Sequence, residues 1–160
     1  MRGSALAVVL AVALAACAED AEREPAERRN RAALETIALP PGAEVHRTET
    51  SGRHAPDTSE GPIVGWTTVR EVRLAGGARA EQVVARARTD LERAGWQIEN
   101  DDDFYVNARR QGSCLHFLPS SAEPTDEILE FTATDEAPPS SDQDPGQAIA
   151  RGLVLSVSDC

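Results

Sequence analysis

The sequence predicts an α+β domain: an antiparallel sheet of about five to six strands with one main amphipathic helix packed on one face, and a second, N-terminal helix as an addition to that plan. Three observations predict it. Residues Ile63 to Leu74 alternate with a period of two, Val64, Trp66, Val72 and Leu74 on one face and Thr67, Glu71 and Arg73 on the other, which is a half-buried strand. Ala80, Val83, Val84, Ala87, Leu91 and Ala94 recur at helical spacing while Arg86, Arg88, Asp90 and Glu92 take other faces. Beyond Gly95 come several short alternating runs separated by turn residues.

Taken in order, the chain opens with a basic residue, Arg2, an apolar run from Ala5 to Leu14, and the small residues Ala15 and Ala16 before Cys17, the layout of a secretion signal over residues 1–16. The run stops short of the roughly 20 apolar residues a membrane-spanning helix needs, and Glu19 and Asp20 follow it. Leu14-Ala15-Ala16-Cys17 resembles the lipobox of bacterial lipoproteins. That resemblance implies a diacylglyceryl thioether on Cys17 and cleavage just before it. Two acyl chains make a stable anchor where one is marginal. The alternative is an ordinary signal peptide cut after Ala-x-Ala, with Cys17 a free thiol.

Residues 17–25, rich in Glu, Asp and Ala with a proline at 25, read as a lipidated tether, and residues 26–160 as one small domain. Within it a helix is expected from Ala26 to Ala38, with Ala33, Leu34 and Ile37 on one side, ending before Pro40-Pro41-Gly42. A weaker strand, Glu44 to Thr50, pairs with the 63–74 strand across a connection at 51–62. Gly95 is placed for a left-handed helix stop of the Schellman type, which brings Trp96 back onto Leu91. The later strands are marked by Trp96 and Ile98, by Phe104, Val106 and Ala108, by Leu115 and Phe117, by Leu129 and Phe131, and by Leu153, Leu155 and Val157. Asp101 to Asp103 and Gln111-Gly112 supply turns, and two polar stretches, Pro119 to Asp126 and Asp135 to Ala148, interrupt the strands. The second stretch reads as mobile, because it holds no aromatic or basic anchor.

Once Arg2 leaves with the leader, 27 acidic side chains face 15 arginines, a formal charge of −12 with no lysine at all. Such a surface repels phosphate backbones and anionic headgroups, so nucleic acid is excluded as a partner and the lipid must do the anchoring. With Cys17 assigned to lipid, Cys114 and Cys160 remain in an oxidising compartment and are expected to pair. Strand parity agrees: each lies on the face opposite the odd-numbered apolar residues of its own strand.

No catalytic residue, metal ligand or cofactor site is expected. Cys114 and His116 share a strand face, but a disulfide outweighs an activated thiol in that compartment. His46, His54 and His116, even with Asp101, Asp102 and Asp103, match no ligand spacing, and the aspartate run lacks the glycine and alternation of a calcium loop. Nucleophile elbows and phosphate loops are absent from the mature sequence. Trp66 and Trp96 read as core packing before ligand platforms.

Leu39-Pro40-Pro41-Gly42-Ala43, then Trp66-Thr67-Thr68, Ala94-Gly95-Trp96 and Gly112-Ser113-Cys114, look like small uncharacterised lipoproteins of GC-rich bacteria. Members begin the helix with Thr or Ser, whereas this chain has Gly77-Ala78-Arg79, so a capping side chain is missing. The resemblance implies no activity. The expected function is a membrane-anchored extracytoplasmic module that binds an envelope protein or cell-wall partner without catalysis. A small-molecule or metal-ion receptor with a pocket between helix and sheet is the alternative, and a hydrolase a more distant one.

Overall fold

The sheet is assembled from both ends of the chain. A computed structural model describes residues 21–54, 63–125 and 148–160. Helix α1 occupies 21–35 among these residues, and six strands with a second helix follow: β1 (Ala43–His54), β2 (Ile63–Arg79), α2 (Ala80–Arg93), β3 (Gln97–Ile98), β4 (Val106–Arg110), β5 (Ser113–Ser120) and β6 (Ile149–Asp159). All neighbours are antiparallel in the order β1-β2-β6-β5-β4-β3. The expected α+β architecture is therefore present. The β1–β2 hairpin forms one edge, α2 carries the chain across the sheet, β3 to β5 return from the far edge, and β6 closes the gap between β5 and β2.

Both helices lie on one face. From α2, Ala80, Val83, Val84, Ala87 and Leu91 are buried, and they meet Val72, Val106, Leu115, Phe117, Leu153, Leu155 and Val157 from the strands. The helix stops as its glycine dictates: Gly95 has φ +83°, its N–H reaches the Glu92 carbonyl at 3.0 Å, and the Trp96 N–H reaches Leu91 at 2.9 Å. No side chain caps the other end. Instead the Ala148 carbonyl accepts the Ala80 N–H at 2.9 Å, so the start of β6 supplies the missing cap.

Gln111 and Gly112, both at positive φ (49° and 80°), make a two-residue turn joining Arg110 to Ser113, as expected. At the β2–α2 junction Gly76 and Gly77 sit at φ +77° and +68°, where the β2–β6 register slips between Arg73 and Ala78. That bend lets one extended segment run past Leu74 into the helix start.

Five boundaries differ from the sequence reading. Helix α1 reaches back at least to Ala21, five residues into the stretch read as a tether, and it ends at 35, not at Ala38. Glu, Arg and Ala favour helix, and (i, i+4) pairs Arg23–Glu27, Glu24–Arg28 and Glu27–Arg31 reinforce it, so that it extends over 21–25 although every residue there is exposed. Strand β1 continues through Ser51–His54, where a connection is expected from the sequence. Pro119 and Ser120 finish β5 and do not open a loop. Phe104 lies outside β4 and is 40% exposed, because the Asp102 carboxylate accepts its N–H at 2.7 Å and turns the chain before the strand begins. The expected Leu129–Phe131 strand and the 135–147 part of the second polar stretch lie outside the described residues.

Candidate functional site

The first surface is a groove between α1 and the start of β2. Ala26, Asn30, Leu34 and Ile37 form the buried stripe of α1 and its exit. Beneath it the even-numbered face of β2 carries polar groups: Thr68 and Arg70 are buried alongside Val72 and Leu74. The Thr68 and Thr50 hydroxyls are 3.0 Å apart, and Arg70 donates to Thr48 Oγ1, the Leu34 carbonyl and the Glu35 carboxylate. Asn30 Nδ2 donates to the Trp66 carbonyl at 3.1 Å, while its Oδ1 finds no partner among the described residues.

Toward the N-terminus of α1 this seam opens into a groove of about 410 Å³ lined by Pro25, Ala26, Arg29, Val64, Trp66 and Asp159, among others. Arg29 pairs with Asp159 across it, and the Arg23 guanidinium lies 5.8 Å from the centre of the Trp66 ring. None of the three histidines lines it.

The second surface is the other face of the sheet. Tyr105, Asn107, Cys114, His116, Leu118, Val154, Ser156 and Ser158 are all half-buried on it, and neither helix covers it. His116 Nδ1 is 2.8 Å from Asn107 Oδ1, and its ring tilts against Tyr105 with centroids 5.3 Å apart. Burial holds the His116 pKa below its ordinary value of 6.5, so the ring is neutral at neutral pH. Cys114 and Cys160 are joined as a disulfide on this face, Cα atoms 5.1 Å apart, which removes the thiol from any nucleophilic role beside His116.

At the end of this face remote from the α1 groove, Ser120 to Thr125 folds back over the strands. Arg73 donates to the Pro124 carbonyl at 3.4 Å and His46 Nε2 lies 3.3 Å from that of Thr125. Gly152 permits the approach, since a Cβ there would stand 3.0 Å from the Ala122 carbonyl and 3.2 Å from Pro124 Cδ. Under this cover Glu71, expected on the solvent side, is buried and bonded to Arg47 at 2.8 Å. The register places the two opposite one another, just after a bulge between Val45 and Arg47.

The residues singled out in the sequence are thus dispersed. Cys17 lies outside the described residues. Cys114 and Cys160 meet on adjacent strands. His46, His54 and His116 sit on two different strands with different neighbours, and no group of three or more metal-ligating side chains gathers among the described residues. Asp101 to Asp103 form a surface turn held by Arg88, which donates to the carbonyls of Asn100 and Asp102. Trp96 is core, its Nε1 donating to Thr36 Oγ1 at 3.1 Å, whereas Trp66 is only half-buried, at the groove. The polar seam of Asn30, Thr50, Thr68 and Arg70 was not anticipated. Its signal was present as polar residues at even positions between Trp66 and Val72, and as an asparagine between Ala26 and Leu34 at helical spacing.

Among the described residues no helix is long and apolar enough to cross a membrane. Comparison with family models, with curated proteins and with solved structures found no match for this chain.

Proposed function

We propose that this chain is an extracytoplasmic lipoprotein, anchored through Cys17, that binds an envelope protein or cell-wall partner on the open face of its sheet and performs no chemistry of its own. The observation that carries the reading is that face. Tyr105, Asn107, His116, Leu118 and Val154 form a half-exposed, mixed aromatic, polar and aliphatic surface on β4, β5 and β6 and the residue before β4, with β5 tied to the residue after β6 by the Cys114–Cys160 disulfide. Aromatic side chains with a polar handle at the middle of a rigid surface are what interfaces use as anchors. The lipobox at Leu14–Cys17 supports the address, and the disulfide suits an oxidising compartment.

A photo-cross-linking residue placed at Asn107 in intact cells tests the reading, with the same residue at Arg86, on the solvent side of α2, as control. A discrete adduct from position 107 that is absent from position 86 and lost when His116 is replaced by Glu supports it. The absence of any adduct at 107, or equal adducts at both positions, overturns it.

A further inference from the structure

The last five residues of the tether read from sequence, 21–25, are helix. Building on the proposed lipid anchor at Cys17, we infer that the end of the domain carrying the first turn of α1, Val64 and Trp66 rests against the phospholipid surface, with the strands upright. Only four chain steps separate Cys17 from Ala21, the first described residue of α1. Whatever their conformation, four steps span at most about 14 Å, where the longer tether expected from sequence, reaching residue 25, allows roughly 30 Å. Ala21 borders the same groove as Val64 and Trp66, so that groove is held within a short reach of the acyl attachment.

The chemistry of this end suits a bilayer interface. Val64 is 53% exposed, Trp66 presents an aromatic ring beneath the Arg23 guanidinium, and the Arg53 guanidinium from the neighbouring strand lies against Gly65. Tryptophan and arginine, each an apolar body with a polar tip, favour the headgroup region. Asp159, the carboxylate on β6 at this end, is paired with Arg29. The mature chain's formal charge of −12 offers no net attraction to anionic lipid, so the contact is set by tether length and the local side chains and does not require acidic headgroups.

The orientation follows from α1 itself. Its fifteen described residues run about 22 Å, from the groove at Trp66 to Thr36, which receives the Trp96 indole N–H. The chain's two tryptophans differ in exposure and lie toward opposite edges of the sheet: Trp66 is half-buried at the groove, whereas Trp96, four strands away, is buried beneath the exit of α1. In this pose the open sheet face looks sideways along the membrane, free for a partner, and the Ser120–Thr125 cover points away from it.

The test uses the processed, full mature protein in phosphatidylcholine vesicles containing a small fraction of headgroup-nitroxide lipid. Mass spectrometry first reads the diacylglyceryl adduct at Cys17. Its absence overturns both the anchor reading and this one. With the adduct present, the expected result is strong quenching of native tryptophan fluorescence, most of it lost in Trp66→Phe, whose remaining Trp96 ring is shielded by its burial. The surface variant Val64→Asp, with the same adduct mass, is expected to show clearly reduced quenching. Equal quenching of native and Trp66→Phe proteins, or an unquenched native protein, overturns the orientation while leaving the lipid anchor standing.

Discussion

The halves of the domain under α2 and under α1 share one face of one sheet, yet different chemistry holds them. Under α2 the contact is apolar throughout: Val84, Leu91, Trp96, Leu115, Phe117 and Val157 are buried together. Under α1 the buried apolar contact comes from Ala26, Leu34 and Ile37, with Ala33 and Leu39 partly buried beside them, and the space between is filled by Asn30, Thr68 and Arg70 with their hydrogen bonds. An apolar contact stabilises in proportion to the area removed from water, whereas a buried polar contact mostly offsets its own desolvation and specifies a unique arrangement. The α2 half is thus the stability core. The α1 half is a precisely seated but weaker attachment.

The sharpest way to break this comparison is Phe117→Ala. It is expected to cost about 3 to 5 kcal/mol in urea denaturation, since the side chain is fully buried among well-packed neighbours. Cys160→Ser opens a bridge closing 46 residues of sequence and is expected to cost about 4 kcal/mol in the same measurement, less whatever strain is relieved. In the α1 half, Arg70→Met is expected to cost only about 1 to 2 kcal/mol, because its ionic partner Glu35 is 72% exposed and water replaces the guanidinium there. Asn30→Leu should stay within about 1 kcal/mol of the native protein, given the unpartnered Oδ1 it removes. A loss at Arg70 or Asn30 as large as that at Phe117 would erase the distinction.

The smallest effect is a pH dependence. His116 titrates below 6.5 in the folded protein, so between 6.5 and that lowered value the unfolded chain holds the extra proton. Stability from this group is fully present above 6.5 and is lost as pH falls through that window. Comparing melting temperatures from about pH 7 to pH 5, His116→Gln should show a shallower decline than the native protein; identical slopes would remove His116 as its source.

Much of the α2 half was legible in the sequence, because its signals are local. Val83, Val84, Ala87 and Leu91 repeat at helical spacing, Gly95 occupies a backbone region that other residues avoid, and Gln111-Gly112 spells a tight turn. The disulfide was legible by elimination, Cys114 and Cys160 being left over once Cys17 is read as lipid-bearing, and strand parity agreed with it. The α1 half was harder to read. Arg70 looks like a solvent residue until the Leu34 carbonyl and Glu35 are brought to it, 35 to 36 residues away in sequence. As for the candidate binding face, Tyr105, Asn107 and His116 become a cluster only once β4 and β5 pair.

By itself, then, the sequence determined the fold class, the strand through Val72 and Leu74, the helix that follows it and the glycine stop at Gly95. Each depends on periodicity or backbone freedom within a few residues. Tertiary structure alone decided that β6 lies between β2 and β5, that Ala148 caps α2, and that Glu71 is buried beneath Ser120–Pro124. These turn on which distant segments compete for the same hydrogen bonds and the same buried space, and no local pattern encodes the outcome of that competition.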